Sequence, residues 1–213
     1  MIKLSILNAG EALNEGQLSS VHLTFNRAVR TCKKLISVDL VDVVLFHNPE
    51  YVMLETGIGG STPTTHIINI QLDAKRRLDK EVLYLAFCHE FHHAMRQRKF
   101  GFPKTLLDAV ISEGLADQFE KEINLDAKLI TYRKDISKKI LLNGFSNLKK
   151  EMNSNSYDYF GWFFGTSKYP KYFGYTLGNM IVEKYLDHTN TTPSALVRTP
   201  AKSFIKYIGK TTL

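Results

Sequence analysis

Phe87-Cys88-His89-Glu90-Phe91-His92-His93 lies in a run where Leu83, Ala86, Cys88 and Met95 keep a helical period. That period predicts a helix from about residue 79 to Lys99, ended by Gly101 and Pro103. On a helix, His89 and His93 stand one above the other on a single face. Two imidazoles so placed can reach one Zn²⁺ at ~2.0–2.1 Å. Glu90, the residue after the first histidine, then sits beside the metal without ligating it, where it can take a proton from an activated water. His92 is three residues after His89 and could compete as a ligand or turn toward substrate or solvent. His93 is preferred because it leaves Glu90 in the place the pattern requires. Adjacent helical residues diverge by about 100°, so Cys88 is assigned to the core and not to a nucleophile's role.

A catalytic zinc takes a third protein ligand and keeps one position open. The next helical stretch, 104–122, carries Leu106, Leu107, Val110, Ile111, Leu115 and Phe119, and within it Ser112-Glu113-Gly114-Leu115-Ala116-Asp117. A short connection around Gly101 and Pro103 would turn this helix back on the first. Glu113 is therefore the candidate third ligand. Asp117, one turn further along, could accept a hydrogen bond from the far ring nitrogen of His89 or His93 and fix its orientation. Gly114 inside a helix costs ~1 kcal/mol against Ala, an expense that a close helix–helix approach or room for the site would offset.

His89-Glu90-Phe91-His92-His93 followed by Glu113 in EGLAD resembles the gluzincin branch of zinc metalloproteases. The runs GIGGSTPTTHIINIQLD, LLDAVISEGLADQFE and YFGYTLGNMIVEKYL extend the likeness over residues 40–208, to a small family of uncharacterised predicted Zn-dependent proteases and to the minigluzincins. The resemblance implies a zincin-like fold, with an active-site helix under a twisted sheet and then a helical lobe. It implies one zinc held by His89, His93 and Glu113, Glu90 as general base and Asp117 as the orienting partner. It implies that a peptide or protein substrate pairs along the strand before the active helix, Thr65–Leu72. It also implies a Tyr or His that binds the developing oxyanion, for which Tyr175 is the first candidate, Tyr172 the second and His188 the third. A metzincin is a poorer match, since Arg96 stands where that class has Gly. A SprT-like, nucleic-acid-associated protease would supply a third His sooner than His188, but the basic C-terminal half keeps it as a second rival reading.

Away from the motif, Ile2, Leu4 and Ile6 alternate as in a strand, and Leu18 to Ile36 form one apolar helical stripe. Val41–Phe46 and Tyr51–Ile58 read as strands with Asn48-Pro49 as the turn, Gly59–Pro63 as a loop and Thr65–Leu72 as a further strand. Helices are expected at 125–142, 156–165, 175–187 and 200–208. Tyr157–Phe164 reads as core or pocket wall. Strands followed by helices make the fold class α+β, with a small, mostly antiparallel sheet. Residues 1–213 form a single catalytic domain on this reading, with 1–100 an α/β upper lobe and 101–213 a helical lower lobe.

The 213 residues are 44% hydrophobic and 23% charged, which excludes a largely disordered chain. No apolar run approaches the ~20 residues of a membrane helix. The N-terminus lacks the length of a secretory signal, and two cysteines without a CxxC pair fit a reducing, cytoplasmic compartment. The net charge of +7 is uneven: residues 1–120 hold 13 basic and 14 acidic side chains, and 121–213 hold 15 and 7. The lysines are scattered, so a solvated surface and not nucleic acid is the expected use. No G-x-S-x-G, Walker or dinucleotide fingerprint occurs. A non-catalytic zinc-binding or interaction protein is the rival reading, but a purely structural site has no need of Glu90.

Overall fold

The computed structural model describes residues 1–127, 135–166 and 168–209, which fall into two units, Met1–Gly101 and Phe102–Leu213. The first unit begins with β1 (Ile2–Leu7), whose residues alternate between half-buried and exposed. Helix α1 (Glu15–Ile36) starts in a reciprocal cap: Gln17 N–H donates to Asn14 Oδ1 at 2.9 Å, and Asn14 N–H to Gln17 Oε1 at 3.0 Å. Its buried stripe is Val21, Phe25, Ala28, Cys32 and Ile36. After β2 (Val41–His47) come β3 (Ile58–Thr64), β4 (Ile67–Leu72) and α2 (Lys80–Phe100). Asp79 caps α2 by accepting from the Glu81 and Val82 N–H groups, and Gly101 ends it with a φ of 77°.

The fold class is α+β, but the sheet is mixed, with strand order β1-β2-β4-β3. The expectation of a mostly antiparallel sheet is corrected. β1 and β2 run parallel, as do β2 and β4, and only β3 is antiparallel to β4. The reason lies in α1, which fills the connection between β1 and β2 and returns the chain in the same direction.

A second correction concerns the strand borders. Tyr51–Ile58 is not a strand. Pro49–Tyr51 is a 3-10 turn, and the Gly57 N–H closes onto the Met53 carbonyl at 2.8 Å. Gly59–Pro63, expected as loop, lies inside β3. Its register with β4 breaks between Ser61 and Thr64, so Pro63 falls in the irregular part of the outer strand, where its missing N–H costs no ladder bond. Consequently β4 is an interior strand, paired with β2 on one side and β3 on the other. The edge on this side of the sheet is β3, not Thr65–Leu72, and β1 is the other edge.

The second unit is helical. Helix α3 (Leu106–Ile123) opens on a reciprocal Thr105–Asp108 cap, and α4 (Lys138–Glu151), α5 (Tyr159–Phe163) and α6 (Phe173–Thr189) follow. The helix expected at 125–142 falls partly at 128–134, outside the described residues; α4 starts only after the Ser137 cap. Residues 201–207 form a 3-10 helix. Trp162 stacks on Tyr169 at 4.3 Å between ring centroids and on Phe173 at 6.0 Å, at the centre of this core. Helices α3 and α6 meet backbone to backbone. A Cβ on Gly114 would run into the Gly178 carbonyl, and one on Gly178 into the Val110 carbonyl. Of the two reasons offered for Gly114, the close helix–helix approach is therefore present. Among the described residues no helix is long and apolar enough to cross a membrane.

Candidate metal centre and its carboxylate

Helix α2 is buried on nearly every side. Leu83, Phe87, Cys88, Phe91 and Ala94 are core residues, and Phe87 meets Phe25 of α1 edge-on at 5.5 Å. Cys88 is fully buried, as expected of a packing residue. This packing leaves little freedom to the turn that carries the motif. His89 is half-buried and His93 buried, and their rings meet edge to face at 4.7 Å between centroids. One ring nitrogen of each lies within 4.8 Å of the other. Two ligands at ~2.0–2.1 Å from a tetrahedral zinc stand a little over 3 Å apart, so small ring rotations suffice to close on one ion. His92 is completely buried, not turned to solvent, with its ring 6.5 Å from that of His93.

Glu90 points the opposite way from solvent and is 6% exposed. Its Oε2 accepts a hydrogen bond from Thr62 Oγ1 of β3 at 2.6 Å. Beside it, Gly60 of the same strand carries no side chain; a Cβ there would come to 2.5 Å from Glu90 Oε1. The amide of Gln97, two helical turns after Glu90, donates to the Thr62 carbonyl at 3.0 Å. The edge strand and the motif helix are thus joined at the carboxylate. Sequence reading missed Thr62 and Gly60 because they stand in a Gly-Gly-Ser-Thr-Pro string with the composition of a turn. The signal that could have found them is the β-branched series Ile58, Thr62 and Thr64 across it.

In the second unit, Glu113 is half-buried and Asp117 is 1% exposed, both on α3. Glu120, which sequence reading did not single out, brings a carboxylate oxygen within 4.8 Å of one of Asp117. Burial pushes the Tyr157 hydroxyl above the ordinary tyrosine range, and the Asp108 and Glu113 carboxylates push it the same way. Tyr172 and Tyr175 share the first turn of α6, with ring centroids 6.0 Å apart. Tyr175 continues through Phe163, at 5.2 Å, into the aromatic run at 157–164. Trp162 and Phe163 of that run are core, while Phe160 is exposed. His188 lies at the other end of α6, against Tyr207, ~20 Å along the axis from the two tyrosines. The structure separates it from them.

The two imidazole nitrogens of α2 suit zinc better than a hard cation such as magnesium or calcium. The profile of a protein family described as "Predicted Zn-dependent protease (DUF2268)" matches residues 21–206 of the chain. The comparison with curated proteins gives no match.

Proposed function

The chain belongs to this family of predicted Zn-dependent proteases, and on that premise we propose that it is a zinc-dependent peptide hydrolase of gluzincin type with a zincin-like fold. The observation that carries the proposal is the single turn of α2 that sets His89 against His93 while Glu90 is drawn to the edge strand. In this reading His89, His93 and Glu113 hold one zinc. Such an ion supplies Lewis acidity, activating water and polarising the scissile carbonyl. Glu90 takes the proton of the attacking water and delivers it to the leaving amine. Asp117 accepts a hydrogen bond from a ligand histidine and holds its ring in place. Tyr175, or Tyr172 beside it, donates to the developing oxyanion. The substrate peptide adds as a strand along the outer side of β3, the sheet edge next to Glu90.

The test is Glu90→Gln, which keeps size and shape and removes the base. Zinc content should stay at the wild-type level, while cleavage of a peptide library, read by mass spectrometry, should fall by ~10²–10⁴. A variant that cleaves at the wild-type rate would refute the mechanism. A zinc-binding module without catalysis would show no cleavage by either protein and no binding of a peptide hydroxamate at the metal.

A further inference from the structure

The carboxylate of Glu90 is bounded by two residues of β3 that no chemistry has so far required. Thr62 Oγ1 lies 2.6 Å from Glu90 Oε2 and 3.2 Å from the Glu90 main-chain oxygen. A hydroxyl has one proton to give, and the shorter contact to a charged oxygen takes it. Thr62 is 7% exposed and Glu90 6%, so water competes little for that bond. Thr62 is itself fixed, because its carbonyl accepts from Gln97 Nε2 of the same helix at 3.0 Å. Gly60 is two residues earlier and so on the same face of the strand. A Cβ there would lie 2.5 Å from Oε1 and 2.8 Å from Cγ of Glu90. One carboxylate oxygen is therefore held by a donor, and the other faces bare backbone.

We infer that Thr62 and Gly60 are positioning residues for Glu90. The Thr62 hydroxyl fixes Oε2 and sets the carboxylate's rotation, and Gly60 keeps a side chain off Oε1, the oxygen left to take the proton. The inference rests on Glu90 being the base. It also gives the edge strand a second duty: the strand offered to the peptide holds the group that acts on it. Substrate and base then share one frame, so their alignment does not depend on a mobile side chain.

Four variants test this: Thr62→Val, which keeps the shape without the donor; Thr62→Ser, which keeps the hydroxyl; Gly60→Ala; and Glu90→Gln. With a fluorogenic peptide selected from the library by the wild type, Thr62→Val and Gly60→Ala should lower kcat ~10–10²-fold at unchanged KM and unchanged zinc content. Thr62→Ser should restore kcat to within about threefold. A second measurement needs neither metal nor substrate. In metal-free protein, denaturant unfolding of Thr62→Val, of a further variant Glu90→Ala, which has no acceptor for the hydroxyl, and of the double variant should give effects that do not add, because each removes the same bond. Additive effects there overturn the proposal by themselves. So does wild-type kcat in Thr62→Val when Glu90→Gln is inactive. Wild-type turnover in Glu90→Gln instead overturns the base assignment on which the inference stands.

Discussion

Tyr172 enters α6 with a φ of +64°, a left-handed conformation that a bulky side chain adopts at a cost of ~1–3 kcal/mol. Its N–H donates to the Phe163 carbonyl at 3.1 Å, which ties the start of the helix to the aromatic segment before it. The kink sets two tyrosines on one turn, but not equally. Tyr172 is 3% exposed, and Tyr175 is half-buried with more of its ring open to a ligand. Tyr175→Phe should therefore lower kcat ~10²–10³-fold with little change in KM, and Tyr172→Phe should lower it less. Steady-state kinetics on one peptide decide it; unchanged turnover in both variants would take the role away from tyrosine. The histidine pair and Glu90 were legible in the sequence because a helix fixes their relation within four residues. The proposed partner of the oxyanion was not, because ten tyrosines share one chemistry and only tertiary packing sorts them. His188 illustrates this. It was the third candidate after the two tyrosines, and it stands at the far end of the helix that carries them.

At the scale of elements, α1, α2 and α3 were read well, while α4 lies mostly beyond the helix expected at 125–142 and one strand was read badly. The borders of α1, α2 and α3 follow from caps and apolar periods that the sequence displays. The strand β3 hid behind its composition. Gly59 and Gly60 look like turn glycines, yet neither has a positive φ, and each is small because something is packed against it: the Tyr51 carbonyl at Gly59 and Glu90 at Gly60. The misreading moved the sheet edge one strand inward and hid the seat of the carboxylate. The same logic of closeness governs α3 and α6. Gly178 faces the Val110 carbonyl, a main-chain atom that cannot rotate away, so a methyl group forces the two helices apart. Gly178→Ala should destabilise the protein by ~1–3 kcal/mol or more. Gly10→Ala, at a position with nothing within 4 Å of the added Cβ, should stay within ~0.5 kcal/mol. Denaturant midpoints at constant slope measure both. A Gly178 variant as stable as the Gly10 control would show that the helices have room to part.

At the scale of the whole molecule, the proposed ligands are divided between the two units: His89 and His93 belong to Met1–Gly101, and Glu113 to Phe102–Leu213. A metal that takes donors from both binds the folded chain and has no equal site in the unfolded one, so its binding energy adds to stability. At a free zinc concentration of ~1,000 times Kd the gain is ~4 kcal/mol, or ~8–16 °C in Tm for a chain of this size. Elemental analysis should therefore find one zinc per chain. Chelation should lower Tm, and added zinc should restore it. His89→Ala and Glu113→Ala should each lose the bound metal and most of the zinc-dependent rise in Tm, whereas Glu90→Gln should keep both because its carboxylate is directed to Thr62. The contrast between Glu113 and Glu90 is the informative part, since both substitutions remove one carboxylate and only one of them removes a donor to the ion. Full zinc retention in His89→Ala and Glu113→Ala, or a Tm indifferent to chelator, would sink the ligand set, whatever the protein cleaves.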